Sequence, residues 1–398
     1  MTDDTMTATW SAEPEQFQTD RVLTISAGHA VHDTYTAFLP PLLPAFVESL
    51  LLSTTQAGLL SVFLGAPSLI QPLIGHLADR VSLRYFVILA PSVTAIAMSL
   101  LGVAPGYAAL AILLVMAGLS SACLHAVGPV MAGRLSGRSL GRGMGIWMVG
   151  GELGRTVGPI VIVSAVALLT LKGTPALMVL GLVTSVVLYL RLRDVPGRPP
   201  GIGQSLPWRL ALWGMRRLLL PVVGLIVVRA FTLVALTTYL PLFLTREGAN
   251  LWLAGASLSI LEAAGMVGAL AGGAISDWLG RKRVLLVSLV TMAFFMWVFL
   301  AVDGLLRFPV LVLLGLTALS VTPVLMAVVQ ESTPDNRALA NGMFMALSFG
   351  IRAGVVVVVG LLGDLFGLRL AFTVSALLPL LGVPFVFLLP GKMTTSPD

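Results

Sequence analysis

The chain has 398 residues, of which 57% are hydrophobic and 11% are charged, and its mean hydropathy is +0.98. A soluble domain carries about 25% charged residues, so this composition excludes one and indicates a protein that lies in lipid. The net charge of +6 comes without the interleaved aromatic residues of a nucleic-acid site, so we expect no nucleic-acid partner.

Twelve apolar stretches follow one another, each close to the roughly 20 residues that a helix needs to cross a bilayer. The sequence has no ten-residue alternating segments of the kind that build an outer-membrane barrel. It therefore predicts an all-α membrane protein, with twelve transmembrane helices in two pseudo-symmetric six-helix bundles. Numbered in chain order, the predicted spans 1 to 12 are Val22 to Pro44, Thr54 to Ala78, Tyr85 to Val103, Tyr107 to Met131, Gly143 to Leu171, Thr174 to Leu190, Leu218 to Thr245, Leu251 to Ser276, Val284 to Val302, Phe308 to Gln330, Leu339 to Gly363 and Leu370 to Leu389.

The predicted domains follow from these spans. Residues 1–20 are polar and acidic, without the basic start of a signal peptide, so we interpret them as an uncleaved cytoplasmic tail. Residues 21–190 form the first bundle, 218–390 form the second, and 391–398 form a second cytoplasmic tail. Residues 191–217, rich in Pro, Gly and Arg, are predicted to be a cytoplasmic linker between the bundles.

Span 1 contains His29, His32 and Asp33. Asp33 follows Arg21 by about 18 Å of helix, which places it near the bilayer midplane. A charge there costs about 2.5–3.5 kcal/mol and indicates a functional residue by default. Spacings of three and four residues bring the three side chains to one helix surface, so we predict a proton-coupling site with Asp33 as the carrier. The alternative is a structural His–Asp hydrogen bond.

A short motif ends span 2 and recurs after span 8, with the two aspartates 198 residues apart, which indicates an internal duplication. Small residues let helices approach closely, and an aspartate at the membrane surface pairs with an arginine in only one conformation. We predict that both copies form gates. The residues are Gly75, Asp79 and Arg80 in the first copy, and Gly273, Asp277, Gly280, Arg281 and Lys282 in the second.

Span 5 contains Glu152 and Arg155 at a spacing of three, which favours an ion pair within the helix, with lining of a substrate cavity as the alternative. The same helix has Gly154 and Gly158 followed by Pro159. This pattern predicts a close, bendable contact between the two halves, or helix packing alone.

Span 7 contains Arg229, which follows Asp33 by 196 residues and is therefore expected at similar depth in the opposite half. A guanidinium suits phosphate, phosphonate or carboxylate groups, so we predict that Arg229 binds an anionic substrate. The alternative is an ion pair with Asp33. Both hold if Arg229 exchanges one partner for the other.

Other polar residues within the spans are weaker candidates. Glu262 and Arg352 are predicted to line the same cavity as Arg155. Gln330 and Glu331 end span 10, where a polar cap and gate contact is favoured over substrate binding. Tyr35 and Tyr239 are candidate pocket residues, although aromatic side chains at helical spacing more often pack.

Cysteine and charge complete the sequence-based expectations. Cys123 is the single cysteine, which excludes an intrachain disulfide and a cysteine-based metal cluster, and we expect neither a metal nor a cofactor.

Most lysines and arginines lie in loops on the side of the termini, whereas four lie in loops on the opposite side. The positive-inside rule then places both termini in the cytoplasm of a bacterium, with the protein in the inner membrane.

The two gate motifs resemble the loop signature of the major facilitator superfamily, and Gly154-x-x-x-Gly158-Pro159 is similar to its antiporter motif. Further motifs resemble the fosmidomycin-resistance branch of that family, and this resemblance implies a functional role for His125 of span 4. These motifs are His29-x-x-His32-Asp33, Gly118-Leu-Ser-Ser-Ala-Cys-Leu-His125, Gly150-Gly151-x-x-Gly154 and Gln330-Glu331-Ser-x-Pro334.

The resemblance implies a monomeric secondary transporter that exports a small anionic or amphiphilic compound in exchange for protons by alternating access. The partners would be that substrate, protons and the lipid bilayer, and no enzymatic activity is expected. The alternatives are proton-coupled uptake of an organic or phosphorylated anion, lipid movement through the same cleft, and a membrane sensor that transports nothing. No nucleotide-binding motif is present, so a gradient would have to drive active transport.

Overall fold

A computed structural model describes residues 16–78, 84–195, 208–332 and 337–390, and these are helical throughout, with no strand. Ten helical segments among them are long and apolar enough to cross a membrane. With spans 1 and 2, each of which is divided into two helices, they give the twelve spans. The predicted all-α fold of twelve transmembrane helices in two six-helix halves is confirmed.

Four of the spans are divided into two α-helices, because proline and local 3₁₀ or π turns interrupt the α-helical hydrogen bonds. The helices are Thr19–Thr36 and Leu39–Leu50 in span 1, Thr54–Gly65 and Gln71–Ala78 in span 2, Arg84–Ser99 in span 3, Tyr107–Leu135 in span 4, Leu140–Leu169 in span 5, Met178–Leu192 in span 6, Trp208–Val234 and Leu240–Arg246 in span 7, Leu251–Leu279 in span 8, Arg281–Ala301 in span 9, Arg307–Glu331 in span 10, Arg337–Phe366 in span 11, and Leu368–Leu377 and Val383–Leu388 in span 12.

The halves meet along two pairs of helices. Span 5 packs against span 8, and span 2 packs against span 11. Each half has six spans, so spans 1 and 7 begin and spans 6 and 12 end on one face of the membrane, which we call the terminal side. The opposite face is the far side.

Contacts between the halves concentrate near the far side. The Asp364 carboxylate, at the end of span 11, accepts hydrogen bonds from the amides of Thr54 (2.6 Å) and Thr55 (3.0 Å), which begin span 2. The Thr55 hydroxyl donates to the same carboxylate at 2.6 Å. The indole of Trp252 donates to Ser164 at 3.1 Å between spans 8 and 5.

The terminal side is open along several of the same helices. A Cβ added at Gly141 or Gly145 of span 5, at Gly273 of span 8, or at Gly342 of span 11 would meet no atom within 4 Å. These positions on the terminal side are open, whereas the contacts named above join the same helices near the far side, and we refer to the space between the halves as the cleft.

The glycines of span 5 contact a different helix from the one predicted. A Cβ at Gly154 would lie 2.3 Å from the carbonyl oxygen of Ala30, and one at Gly158 would lie 2.4 Å from that of Thr34. Both carbonyls belong to span 1 of the same half, so the prediction that this motif joins the halves is wrong. Pro159, which follows it, is buried within the same helix.

Candidate functional site

A buried carboxylate surrounded by imidazoles forms the centre of the first half. Asp33 is 4% exposed, and its Oδ1 lies 2.9 Å from Nδ1 of His32, while its Oδ2 lies 3.3 Å from Nε2 of His29. His125 of span 4 adds a third ring, with Nε2 3.7 Å from Oδ1 of Asp33. The sequence-predicted grouping of His29, His32 and Asp33 on one helix surface is thus present, and span 4 completes it.

The glycine-rich start of span 5 makes room for this cluster. A Cβ at Gly150 would lie 2.4 Å from the carbonyl oxygen of Ser26, and one at Gly151 would lie 2.5 Å from the ring of His29. Any side chain at these positions would push span 5 off the polar surface of span 1. The repeated glycines therefore let a helix backbone cover the imidazole and the carboxylate directly.

Two backbone carbonyls fix the rings. Nδ1 of His29 lies 3.0 Å from the carbonyl oxygen of Trp147, and Nδ1 of His125 lies 2.9 Å from that of Ser121. The indole of Trp147 also stacks on the imidazole of His29, with the ring centroids 3.9 Å apart. No sequence pattern indicated this role of Trp147, since a carbonyl contact leaves no signature in the residue type.

Three groups of the cluster that can bind a proton lie close together. One nitrogen each from His29 and His125 and one carboxylate oxygen of Asp33 all lie within 4.8 Å of one another. The side chain of His125 is 32% exposed, whereas that of Asp33 is 5% exposed. A proton can therefore reach the cluster from the cleft through His125.

A second set of charged side chains lies between the two halves, across the cleft. Arg155 of span 5 is paired with Glu152 of the same helix, and its Nε lies 4.0 Å from Oε2 of Glu262 in span 8. The side chain of Arg155 is 43% exposed, although it lies well inside the membrane. The predicted intrahelical pair forms, and the same guanidinium also faces the opposite half, as the cavity-lining alternative expected.

Arg352 of span 11 faces hydroxyl groups. Its Nη2 donates to Oγ1 of Thr237 at 3.0 Å and to Oγ1 of Thr238 at 3.2 Å. Both threonines lie in the π-helical turn Ala235–Tyr239, and such turns often present side chains at functional sites. Neutral partners leave the positive charge of Arg352 uncompensated at short range.

Arg229 lies apart from the carboxylate with which it was predicted to pair. It is 6% exposed, its Nη2 contacts the hydroxyl of Thr322, and its Nε has no hydrogen-bond partner among the described residues. Asp33 takes its partners from spans 1 and 4. The Asp33–Arg229 ion pair, the alternative to substrate binding, is therefore not formed in this conformation, because each residue takes its partners from its own half.

The two tyrosines predicted to line the pocket are instead packing residues here. Tyr35 and Tyr239 are 2% and 0% exposed. The Tyr35 hydroxyl donates to the carbonyl of Leu177, and that of Tyr239 donates to the carbonyl of Val356 at 2.8 Å. A hydroxyl that already satisfies a buried carbonyl is not available to a ligand.

The second gate motif forms a network at the terminal side. Arg281 contacts Asp277 one turn earlier and Oε1 of Glu331, at 2.7 Å, at the end of span 10. Gly280 has φ of +93°, a left-handed conformation that ends span 8. The side chain of Lys282 donates a hydrogen bond to the carbonyl of Phe387 at 3.3 Å.

The other gate residues are placed as follows. Gln330 precedes Glu331 in the last turn of Arg307–Glu331. Gly75 lies in the helix Gln71–Ala78, and Asp79 and Arg80 fall outside the described residues.

Comparisons with known proteins agree with this architecture. A sequence model of the Major Facilitator Superfamily matches residues 25–353. The fosmidomycin resistance protein of Escherichia coli (strain K12) is 25% identical over 379 residues, covering 92% of this chain and 91% of that protein. An uncharacterized MFS-type transporter of Bacillus subtilis (strain 168) is 26% identical over 391 residues, covering 93% of this chain and 92% of its own.

Among solved structures, a bacterial homolog of the human lysosomal transporter Spinster, in an inward-facing and occupied conformation, superimposes with a TM-score of 0.78. That chain is 15% identical, and the match covers 94% of this chain and 96% of that one.

Proposed function

The chain belongs to the Major Facilitator Superfamily, and from this premise we propose that it exports a small anionic or amphiphilic compound in exchange for protons. It is a multi-pass membrane transporter of small molecules rather than an enzyme. The observation that carries the proposal is the carboxylate of Asp33, held among three imidazoles beside a cleft between the halves. The cluster around Asp33 takes up a proton in one orientation of the cleft and releases it in the other.

The substrate class follows from the arginines around the cleft. Arg155 is exposed in the membrane interior, and Arg352 has only hydroxyl partners among its hydrogen bonds. A phosphonate or carboxylate would supply the bidentate acceptor that a guanidinium fork suits. The resemblance to a fosmidomycin resistance protein supports a phosphonate as the first compound to test. Arg229 is the deeper anchor in this proposal, reached once the substrate displaces the Thr322 contact.

The orientation belongs to the same proposal. Basic residues are concentrated on the terminal side, which supports a cytoplasmic location for both termini and an inner-membrane location for the protein. The described cleft then opens to the cytoplasm, from which an exporter loads its substrate. We propose that a monomer carries out the cycle, since one chain supplies both halves of the cleft.

Proton-coupled uptake by symport is the second candidate function. The positive charge that a bound proton adds to the cleft favours it. A proton added to the Asp33 cluster makes the cleft more positive, and an anion bound near Arg155 is then attracted rather than repelled. Export exchange requires instead that proton and substrate occupy the protein in different orientations of the cleft.

The direction of flux distinguishes the candidates. Purified protein in proteoliposomes would be given radiolabelled fosmidomycin and a pH gradient of either polarity. The proposal expects fosmidomycin to move opposite to the protons, with no accumulation in protein-free liposomes. Movement in the same direction as the protons would overturn export exchange and establish symport. Binding without flux in either polarity would favour a sensor.

A further inference from the structure

Two imidazoles from different helices point at each other inside the first half. Nε2 of His29 lies 3.3 Å from Nε2 of His125, and the two rings are nearly perpendicular, with centroids 5.1 Å apart. The contact joins span 1 to span 4 beside Asp33. A contact between two ring nitrogens is a hydrogen bond only if exactly one of them carries a hydrogen.

The backbone determines where the other hydrogens lie. A carbonyl oxygen only accepts, so the carbonyls of Trp147 and Ser121 place N–H at Nδ1 of His29 and of His125, and the Ser121 hydroxyl, 3.2 Å from Nδ1 of His125, is then an acceptor as well. In a neutral imidazole the remaining nitrogen, Nε2, then has a lone pair and no hydrogen. Both Nε2 atoms that face each other are therefore acceptors when the two rings are neutral.

The nearest carboxylate supplies no donor either. Oδ2 of Asp33 lies 3.3 Å from Nε2 of His29, so an ionised Asp33 adds a third acceptor to the same small space. The remaining neighbour, His32, directs its Nδ1 at Oδ1 of Asp33, 2.9 Å away, where it donates. Three acceptors converge, and one additional proton would satisfy all of them.

We propose that this proton lies between Nε2 of His29 and Nε2 of His125, as an imidazolium that the two rings share, with Asp33 ionised as its counterion. The inference rests on the proposed proton coupling and identifies the atoms that hold the proton. A proton on His29 Nε2 faces His125 Nε2 and Asp33 Oδ2, each at 3.3 Å. A proton on Asp33 would form a hydrogen bond with His29 alone. The Nε2 lone pair of His125 would then still face the Nε2 lone pair of His29.

The groups around the pair fit an imidazolium and an exit route. Asp33 and His32 face it from span 1, whereas the positive charge of Arg155 of span 5 opposes a proton on His125 and so favours its release. The imidazolium and the ionised carboxylate together are neutral, which limits the cost of burying them. His125 is the more exposed of the two rings, so the proton leaves from its Nε2 to water in the cleft.

The location of the proton is measured by spectroscopy on the whole protein in lipid nanodiscs, independently of transport. The chain has four histidines, so ¹⁵N-histidine NMR signals are assigned with single substitutions, including His76→Gln for the histidine outside the cluster. The proposal expects hydrogen on Nδ1 of both His29 and His125 and one hydrogen shared between their Nε2 atoms. Infrared difference spectra between the unmodified protein and Asp33→Asn should show no carboxylic acid band, because Asp33 is ionised in this proposal.

Two results would overturn the proposal. One is a carboxylic acid band that disappears in Asp33→Asn, together with two neutral rings, which would place the proton on Asp33. The other is a stoichiometric zinc content in protein purified without chelator, with histidine signals that change on adding EDTA, which would place a metal ion between the rings. Either result can occur while proton-driven transport persists, so this inference fails separately from the proposed function.

A transport measurement supplies the second test. His125→Gln replaces the second proton-binding ring with an amide that does not titrate, so proton-driven fosmidomycin accumulation is expected to fall about tenfold while exchange of fosmidomycin for fosmidomycin continues. Unchanged proton-driven accumulation in this variant would also overturn the shared proton. If the variant does not fold, the spectroscopic test on the unmodified chain decides.

Discussion

Arg155 and Glu262 lie in opposite halves of the molecule, and Nε of the arginine is 4.0 Å from Oε2 of the glutamate. Arg155 is also held by Glu152 one turn away on its own helix. The guanidinium therefore has a permanent partner within its half and a second, longer contact across the cleft. In the proposed function, an anionic substrate that enters the cleft competes with Glu262 for the guanidinium of Arg155.

Arg155→Gln is expected to weaken substrate binding. A charge-assisted hydrogen bond contributes about 1.5–3 kcal/mol, which corresponds to a loss of affinity of about tenfold or more. Fosmidomycin binding would be measured by isothermal titration calorimetry, and thermal shift would show that the variant is folded. Arg193→Gln is the matched control, because Arg193 lies at the end of span 6 and pairs only weakly with its neighbour Asp194 at 3.9 Å. Equal affinity of both variants would remove Arg155 from the binding site.

Gly154→Ala is expected to destabilise the protein, whereas Gly350→Ala is not. An added Cβ at Gly154 meets the backbone of span 1 at 2.3 Å, and a backbone cannot move aside as a side chain can, so overpacking should cost about 1–3 kcal/mol. Gly350 is the repeat-related residue of span 11 and faces open space. The midpoint of thermal unfolding in detergent compares the two, and similar midpoints would contradict the described packing of span 5 on span 1.

Asp364→Ala is expected to open the far side of the cleft. The substitution removes three hydrogen bonds between span 11 and the start of span 2 and so favours the opposite orientation. In a Cys123→Ser background, Ser164→Cys reports access to the far side through labelling by an impermeant maleimide. Labelling should become several-fold faster with Asp364→Ala.

Asp303→Ala is the control for the far-side contact, because Asp303 pairs with Arg307 of the same half and is 84% exposed. Labelling that accelerates equally in both variants would mean that Asp364 does not hold the halves together.

Hydropathy and helical spacing predicted much of this structure. The twelve spans follow from apolar length alone, and the polar surface formed by His29, His32 and Asp33 follows from the helical period. The division of spans 1 and 2 into two helices each changes local geometry without changing the number of crossings. The contact of His29 with the carbonyl of Trp147 had no signal in the sequence, since every residue has a carbonyl.

The internal repeat correctly indicated which positions of the two halves are equivalent. It did not predict which residues are in contact. Arg229 corresponds to Asp33 in the repeat, and Thr322 of span 10 corresponds, at an offset of 197 residues, to His125 of span 4. Each half forms its own polar pair between equivalent helices, Asp33 with His125 and Arg229 with Thr322. Symmetry relates the two pairs across the cleft, whereas the predicted ion pair would have required them to meet.

The measurement that tests the proton-coupling role of Asp33 most directly compares two modes of transport in Asp33→Asn. Proteoliposomes with this variant would be assayed for pH-driven accumulation of fosmidomycin and, without a gradient, for exchange of internal against external fosmidomycin. The account predicts that accumulation is lost while exchange continues, because asparagine keeps the shape of the site but lacks the negative charge that stabilises the bound proton. Accumulation at the wild-type level in Asp33→Asn would contradict it.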